Sequence, residues 1–502
     1  PDSLTGLNGG AFNKCTSINN VYLPEEITSI KENTFNGCTS LSHIEYSDNI
    51  TYIGKTAFSN CTALREFNMP TSLVSIDSSA FSGCTLLESV KMNQSLKTIG
   101  SSAFSGCTSL KTADIPEGSK LTDIGSSAFA GDLVLNNISL PSGVVKINDS
   151  VFKGCAALSD ITVASADDGT LTSIGASAFN GCKLLKGFNI PASVTIIGSS
   201  AFNGCAALDV KIEKPSTDVS KVTWGSSAFA DCASLGKTYD IECPDQLTTI
   251  SEGLFKNCVS LKIPSNFIPS NVTSIGSSAF SGCTSTEFTG IIIPEKVKSI
   301  GASAFEGCTN ITAVDFYTTV LTTIGSQAFA ECGRIRDIVV PVSVTSLGTG
   351  VFRDCASLKS VTLAGTMITS IPEQAFMNCA ALPTIEIPGG YYNTSGVFTP
   401  FKAIGKSAFA GCTKLGSTRV NGQNTIIIPN TVTSIGQSAF ESCTSLKYIV
   451  IPVNAAPGNS SFANCTSLET AIVLSNSKSI SAPFSGCTKL KIFCYPSANY
   501  VI

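Results

Sequence analysis

Cysteine is the residue type whose number and spacing in this sequence could do the most chemistry. The 502-residue chain contains 21 cysteines, and nineteen of them follow a phenylalanine by three residues, as Cys107 follows Phe104. So many cysteines in an exported protein usually form disulfides. These recur once per repeat, which would stack them about 4.8 Å apart with parallel Cβ vectors, whereas disulfides prefer Cβ atoms about 3.8 Å apart. We therefore predict a ladder of buried, reduced thiols, with sporadic disulfides as the alternative.

Metal binding and catalysis have few other residues to draw on. The sequence has no Cys-x-x-Cys pair and one histidine, His43, so the usual zinc ligand sets cannot be assembled. His43 is also the one base available to a Ser-His or Cys-His pair, and its place on a polar strand favours a surface histidine. Paired carboxylates for glycoside cleavage are not excluded by spacing, although no pair falls in an evident cleft. We expect no catalytic residue, no metal site and no cofactor.

The elements that position the cysteines are twenty copies of one repeat. Its core reads Ile-Gly-Ser-Ser-Ala-Phe-Ser-Gly-Cys at residues 99–107. The first four spacings between the repeated phenylalanines are 23 residues, and the later ones run from 22 to 27 except for two of 33 and 31. A fixed period in this range predicts a solenoid.

Each part of the repeat suggests a local structure. The segment Leu-x-x-Val/Ile-x-Ile/Leu alternates with period two, which predicts a short half-buried strand, and the proline that often follows ends it. The serine before Ala-Phe suits the cap of one helical turn. Phenylalanine and cysteine then share a face of that turn, and the glycine before the cysteine suits a left-handed stop.

This repeat resembles the BspA-like type of leucine-rich repeat, whose pattern is Leu-x-x-Ile-x-Ile-Pro-x-x-Val-x-x-Ile-Gly-x-x-Ala-Phe-x-x-Cys. The segments 158–182 and 335–348 carry the match most clearly, and it extends over essentially the whole chain. The resemblance implies a curved solenoid on secreted or surface-attached proteins of host-associated bacteria and of some protozoa. It also implies adhesion to host extracellular proteins or to other microbial surface proteins.

The predicted fold is an α/β repeat. We expect residues 1–502 to form a single right-handed leucine-rich-repeat solenoid of about twenty coils, with irregular closing coils at 453–502. A parallel sheet should line one face, with short helical turns and edge strands on the other. At about 4.8 Å per coil, the sheet would run roughly 100 Å.

Composition limits the partners and the compartment. The net charge is −4 and 14% of residues are charged, which does not favour nucleic acid. No apolar run approaches the roughly 18 residues of a membrane span. No signal peptide precedes the first repeat, so we expect a mature or trimmed chain, and secretion or surface attachment follows from the resemblance alone. We expect a monomer.

Three residues depart from the repeat. Asp132 stands where a ladder cysteine is expected, and we predict that this corner swells so that the carboxylate reaches water. Trp224, the one tryptophan, replaces the isoleucine of its coil and is predicted to fill the core. Cys243 falls outside the ladder and is predicted to be a surface-corner thiol.

The first of two insertions is a candidate binding element. It extends from Pro388 to Phe401 and contains four aromatic residues among Gly and Pro: Tyr391, Tyr392, Phe398 and Phe401. Insertions in repeat proteins emerge as loops, often on the binding side. Tyrosine suits a contact surface because its ring packs against apolar groups while its hydroxyl group stays in contact with water. The alternative is a loop folded onto its own aromatic residues. The second insertion, residues 416–424, is predicted to be a polar loop ahead of a strand at 425–428.

Outward strand positions supply the other candidates. The early strands present polar residues, whereas the late strands present the apolar residues Val339, Tyr448, Val450 and Ile472, most of them near the first insertion. Because an exposed apolar patch indicates an interaction site, we predict binding in the region 380–475, unless the insertion covers these residues. The leading function is an adhesion or protein-binding module. A structural spacer that presents another domain is second, and a glycan-active enzyme is a remote alternative.

Overall fold

The computed structural model describes residues 4–164, 171–215, 219–363, 365–393, 395–420, 422–475 and 482–494. The chain divides into two compact units. The first contains residues 1–246 and 257–261, and the second contains residues 247–256 and 262–502. Each unit is a stack of coils. The prediction of one continuous array remains a prediction.

In the first unit, long and short strands alternate along the chain as far as residue 174, after which two more short strands follow. The strands are β1 (Asn20–Tyr22), β2 (Ser29–Ile30), β3 (His43–Glu45), β4 (Tyr52–Ile53), β5 (Glu66–Asn68), β6 (Ser75–Ile76), β7 (Ser89–Lys91), β8 (Thr98–Ile99), β9 (Thr112–Asp114), β10 (Asp123–Ile124), β11 (Asn137–Leu140), β12 (Lys146–Ile147), β13 (Asp160–Val163), β14 (Ser173–Ile174), β15 (Ile196–Ile197) and β16 (Thr223–Trp224).

The second unit repeats this alternation and adds two hairpins. Its strands are β17 (Thr249–Ile250), β18 (Ser274–Ile275), β19 (Gly290–Ile293), β20 (Ser299–Ile300), β21 (Ala313–Phe316), β22 (Thr323–Ile324), β23 (Asp337–Val339), β24 (Ser346–Leu347), β25 (Ser360–Thr362), β26 (Ser370–Ile371), β27 (Gly390–Tyr392), β28 (Phe398–Pro400), β29 (Ala403–Ile404), β30 (Arg419–Val420), β31 (Gln423–Asn424), β32 (Ser434–Ile435), β33 (Tyr448–Ile451), β34 (Ala456–Pro457), β35 (Thr470–Val473) and β36 (Ile492–Cys494).

Strands from successive coils pair in parallel, as the repeat predicts. The two-residue strands form the short-strand face, which in the first unit contains the sheets β2-β4-β6-β8-β10 and β12-β14-β15-β16. The three- and four-residue strands form the long-strand face, which contains β1-β3 and β5-β7-β9-β11-β13. The register matches repeat to repeat, so that Ile76 pairs with Ile99 and Val90 with Ala113. The predicted parallel solenoid is confirmed.

The prediction of helical turns is wrong. The described residues contain no helix, and the segment from Gly100 to Cys107 is instead a chain of tight turns. Within the coil, the N–H groups of Ala103, Ser105 and Cys107 donate to carbonyl groups three residues earlier, whereas Phe104 donates to Ala128 of the next coil. Ser102 has a φ of 56° and Gly106 a φ of 76°, values that suit the third residue of a type II turn. The serine is therefore a left-handed turn residue and not a helix cap.

The repeated phenylalanines form the centre of each unit. Consecutive rings stack nearly in parallel, with the centroids of Phe81 and Phe104 5.2 Å apart. Their spacing does not depend on the length of chain between them, since Phe376 and Phe409, on either side of the first insertion, are 5.4 Å apart. Ring stacking at this distance is favourable beyond simple burial. The coils therefore pack on a fixed core and expel extra residues to the surface.

The cysteine ladder lies beside this stack, as predicted. All ladder cysteines in the described residues are buried except Cys15 and Cys487, and none of the twenty cysteines whose side chains are described is in a disulfide. The spacing did not reveal a further role of the ladder thiols from Cys38 onward, which each donate a hydrogen bond to the phenylalanine carbonyl group of the preceding coil. The thiol of Cys84 donates to Phe58 at 3.1 Å.

The glycine after the repeated isoleucine is explained by crowding. A Cβ atom on Gly100 would lie 2.5 Å from the backbone of Asp77 and Ser78 in the preceding coil, closer than real Cβ atoms come. Successive coils therefore approach each other closely at this corner.

Two of the three predictions about irregular residues are wrong. Asp132 is fully buried, and its Oδ1 atom accepts a hydrogen bond from the Cys107 N–H at 2.8 Å. The corner therefore does not swell to bring the carboxyl group to water. Cys243 is 4% exposed and is not a surface thiol. Trp224 lies in the core, 2% exposed, with its ring against the edge of Phe229, as predicted.

Candidate binding surface on the second unit

The outward residues of the last long strands lie in two rows. Val450 pairs with Ile472 and Tyr448 with Thr470 across β33 and β35, and Thr470 pairs in turn with Ile492 of β36. Between them, Ile449 and Ala471 are fully buried. Because side chains alternate across a strand, Tyr448, Val450 and Ile472 share the outer side of this sheet. The structure therefore brings together three of the predicted binding residues.

The two faces of the second unit behave differently in these coils. On the short-strand face, the sheet β26-β29-β32-β34 is continuous. On the long-strand face, residues 385–387 and 426–428 form no strand, and β33 pairs only with β35. The coils thus remain joined on the short-strand side and lose their pairing on the other.

A cleft opens where the pairing is lost. It has a volume of about 290 Å³ and is lined by residues that are mostly apolar: Val420, Thr425, Ile426, Ile427, Ile428, Asn430, Tyr448, Val450 and Pro452. We call it the C-terminal cleft. Ile427 is 51% exposed on its rim. Among the described residues, no side chain of Asp, Glu, Lys, Arg or His lines it, so it is suited to apolar contact and not to charge recognition.

The first insertion is a β-hairpin that precedes this sheet in the chain. Strands β27 and β28 pair antiparallel, with Tyr392 opposite Phe398, and their rings pack at 5.1 Å. Tyr392 is 74% exposed and Phe398 44%, while Tyr391 is half-buried. Tyr392 and Phe398 therefore contact each other and still present a large surface to solvent.

Phe401 is not part of this surface. It is fully buried, because it stands three residues before Ile404 and so occupies the slot that valine fills in other coils. Val344 and Val432 hold the same slot and are also fully buried. The repeat pattern contained this signal, and the prediction of Phe401 as a binding residue is wrong.

The second insertion is also a hairpin and not an unstructured polar loop. Strands β30 and β31 pair antiparallel between Arg419 and Asn424, and Val420 lines the C-terminal cleft. The Lys447 N–H donates to the carbonyl group of Asn424 at 3.0 Å, which ties the end of the hairpin to the start of β33. Residues 425–428 do not form the predicted strand.

Exposed apolar residues outside the region 380–475 were mostly missed by the sequence analysis, which identified Val339 alone among them. In the second unit, Tyr317, Val339 and Val342 are each more than 60% exposed and line a shallow groove of about 520 Å³. In the first unit, Leu133 and Leu184 are about half exposed at the corner after the ladder position. Comparing that corner between repeats would have found the leucines, since most other coils have threonine or alanine at the position of Leu133 and serine or alanine at that of Leu184.

The one histidine, His43, lies in strand β3. His43 packs edge-on against Tyr22 on the surface of the first unit, with ring centroids 6.1 Å apart. The described segments hold no cluster of three or more potential metal ligands. Nor do they contain a helix long and apolar enough to cross a bilayer.

Comparison with known families accounts for the repeat. The family described as "BspA type Leucine rich repeat region (6 copies)" matches residues 1–111, 74–209, 167–287, 284–415 and 404–502. These overlapping matches extend over the whole chain. The chain belongs to the BspA-type leucine-rich repeat family. The resemblance drawn from the repeat pattern is thereby confirmed.

Solved structures similar to this BspA-type protein include three bacterial proteins. A leucine-rich repeat protein from Bacteroides ovatus is 24% identical over 86% of each chain, with a TM-score of 0.41. A leucine rich cell surface protein from Faecalibacterium prausnitzii is 25% identical over 86% of each chain, with a TM-score of 0.34. The pneumococcal vaccine antigen PcpA is 21% identical over 74% of this chain and 83% of its own, with a TM-score of 0.40. The family assignment does not depend on these likenesses. No curated protein matches the sequence.

Proposed function

We propose that this BspA-type protein is a non-enzymatic binding module that recognises a protein partner through the second unit. The observation that carries the proposal is the apolar surface of the last coils, which consists of the C-terminal cleft and the outward residues of β33 and β35. Ile427 is half exposed, while the outward residues of β33 and β35 are half-buried. Apolar surface that remains open to solvent marks interaction sites. A sheet surface also suits a protein partner better than a small molecule, because pockets for small molecules are usually deep and at least about 300 Å³.

The aromatic hairpin supplies a second contact element of the same kind. Tyr392 and Phe398 offer rigid rings at the end of a short antiparallel ladder, and tyrosine is enriched in the centres of protein interfaces. A ring that is already packed against its neighbour loses little conformational freedom on binding. We propose that Tyr391, Tyr392 and Phe398 contact the partner together with Tyr448, Val450 and Ile472.

The biological setting is proposed from the family alone. We propose that the protein is secreted or attached to the cell surface of a host-associated microbe, acts as a monomer and adheres to host extracellular proteins or to surface proteins of other microbes. The buried thiols are compatible with such an oxidising compartment, because the thiolate is the reactive form and burial raises the pKa of Cys84 to about 12.

The proposal is tested with the full chain on surfaces coated with host extracellular matrix. The variants Tyr392→Ala and Tyr448→Ala should each weaken retention by about tenfold or more, the loss expected for a central aromatic contact. Tyr22→Ala is the matched control, because Tyr22 is 67% exposed on the first unit, and it should bind like the unaltered protein. Equal binding by all four proteins would contradict the proposal and favour a structural spacer.

A further inference from the structure

Strand β33 has a free edge along the C-terminal cleft. The Thr470 and Leu474 N–H groups donate to the carbonyl groups of Lys447 and Ile451, so the odd-numbered residues of β33 face β35. In a parallel ladder the main-chain groups of alternate residues point to opposite sides. The N–H and C=O groups of Tyr448 and Val450 are therefore directed toward the cleft.

The opposite wall of the cleft does not supply their partners. Among the described residues, no backbone hydrogen bond joins residues 425–429 to residues 448–452. The Thr425 hydroxyl group instead donates to the carbonyl group of Ile426 at 3.0 Å, one of the groups that a neighbouring strand would otherwise use. Thr425 is 7% exposed, so this local bond replaces a ladder bond inside the wall.

The side chains around the free edge of β33 are mostly apolar. Ile427 lies on one rim, and Val450 and Pro452 line the other side. An occupant must therefore provide main-chain donors and acceptors along β33 and an apolar side chain for the cleft. A helix has already used its own backbone groups internally, and a glycan has no amide ladder. An extended peptide segment has free main-chain donors and acceptors and can also place an apolar side chain in the cleft.

We propose that the C-terminal cleft binds an extended peptide segment of the partner, which adds to β33 as a further strand and places an apolar side chain against Ile427 and Val450. This inference rests on the proposed function and specifies its recognition mode. The main-chain bonds would give affinity to any extended segment, and the cleft would select a β-branched or other apolar residue at every second position of the peptide.

The test selects from a displayed library of random decapeptides on the full chain. The Ile427→Asp variant serves for counter-selection, because it places a charge on the rim. The Ile196→Asp variant is the matched control, because Ile196 is 50% exposed on the short-strand face of the first unit. We expect enriched peptides with alternating apolar residues that bind the control like the unaltered chain and Ile427→Asp at least about tenfold more weakly.

Hydrogen exchange with an enriched peptide then decides the mode of binding. Strand addition predicts that the Tyr448 and Val450 amide hydrogens exchange at least about tenfold more slowly in the complex. It also predicts that methylating every second peptide nitrogen abolishes binding for one of the two alternating sets of nitrogens, the set that bonds to β33. No enrichment over Ile427→Asp, or enriched peptides that leave both amides unchanged, would overturn the inference. If Tyr448→Ala still weakened matrix binding in that case, the proposed function would stand without strand addition.

Discussion

The Sγ atom of Cys107 lies 3.3 Å from the carbonyl oxygen of Phe81, one coil earlier, and donates its hydrogen to it. The same oxygen accepts the N–H of Cys84 at 3.1 Å. Burial raises the pKa of the Cys107 thiol well above its usual value, so the hydrogen needed for this bond stays in place. The residue three positions after phenylalanine must therefore be small and apolar and must also be a donor, which explains why it is cysteine in nearly every coil.

Removing one rung of this ladder should destabilise the first unit. Cys84→Ala deletes the donor to Phe58 and leaves a small void, a loss that we expect to cost about 1–3 kcal/mol in the free energy of unfolding. Native-state hydrogen exchange of the coils from residue 58 to residue 107 measures it. Cys15→Ala is the control, because Cys15 is half-buried in the first coil; an equal loss there would contradict a role for the buried thiol donor.

Asp132 should make the stability of the first unit depend on pH. Burial raises the pKa of its carboxyl group well above the usual value, and its Oδ2 atom has no hydrogen-bond partner. Above about pH 4 the unfolded chain releases this proton while the folded chain keeps it. The unfolded state is then favoured as pH rises, by about 1.4 kcal/mol per unit until the folded pKa is reached.

Substitution at Asp132 should remove that dependence. Asp132→Cys restores a ladder thiol, and Asp132→Asn keeps the shape without titrating. We expect both variants to lose less stability than the unaltered protein between pH 5 and pH 7, and Asp132→Cys to be the more stable of the two at pH 7. Urea unfolding across this pH range measures the effect. If the three proteins showed parallel pH profiles, Asp132 would be ionised in the fold.

The corner at Gly100 should tolerate no side chain. A Cβ atom there would meet the backbone of the preceding coil at 2.5 Å, so Gly100→Ala must push two coils apart and should cost about 1–3 kcal/mol. Gly6→Ala is the control, because nothing lies within 4 Å of its Cβ position. Thermal unfolding of the two variants compares them, and similar melting temperatures would contradict the close stacking.

The aromatic hairpin should contribute to binding without supporting the fold. Because Phe376 and Phe409 stack at 5.4 Å regardless of the insertion, replacing residues 391–399 by two glycines should change the free energy of unfolding by less than about 1 kcal/mol. Retention on the extracellular matrix should nevertheless fall. A large loss of stability would show instead that the hairpin shields the neighbouring coils.

The repeat spacing predicted the features that depend on stacking. The parallel strands, the buried phenylalanines and the cysteine ladder all follow from one period, since an in-register array places equivalent residues together. The helical turn was predicted wrongly because Phe104 and Cys107 are three residues apart in a helix and in successive tight turns alike. The φ of 56° at Ser102 distinguishes the tight turns from a helical turn, and a serine in the sequence does not indicate a positive φ.

The candidate site was predicted only in part, because local alternation identifies outward residues but not the pairing between coils. Alternation within a strand identified Tyr448, Val450 and Ile472, because it depends on local geometry. The C-terminal cleft depends on a loss of pairing between coils that each fit the repeat pattern, and no residue type marks it. Asp132 was misplaced because the sequence shows a carboxyl group among thiols but not the Cys107 N–H that holds it inside.

Residue-resolved hydrogen exchange of the free protein tests the central claim most directly. If the long-strand face is open at the C-terminal cleft, the amide hydrogens of Ile449 and Ile451 should be protected by β35, while those of Tyr448 and Val450 should exchange at least about tenfold faster. Equal protection of all four amides would show a closed sheet, and the recognition surface proposed for this protein would then not exist.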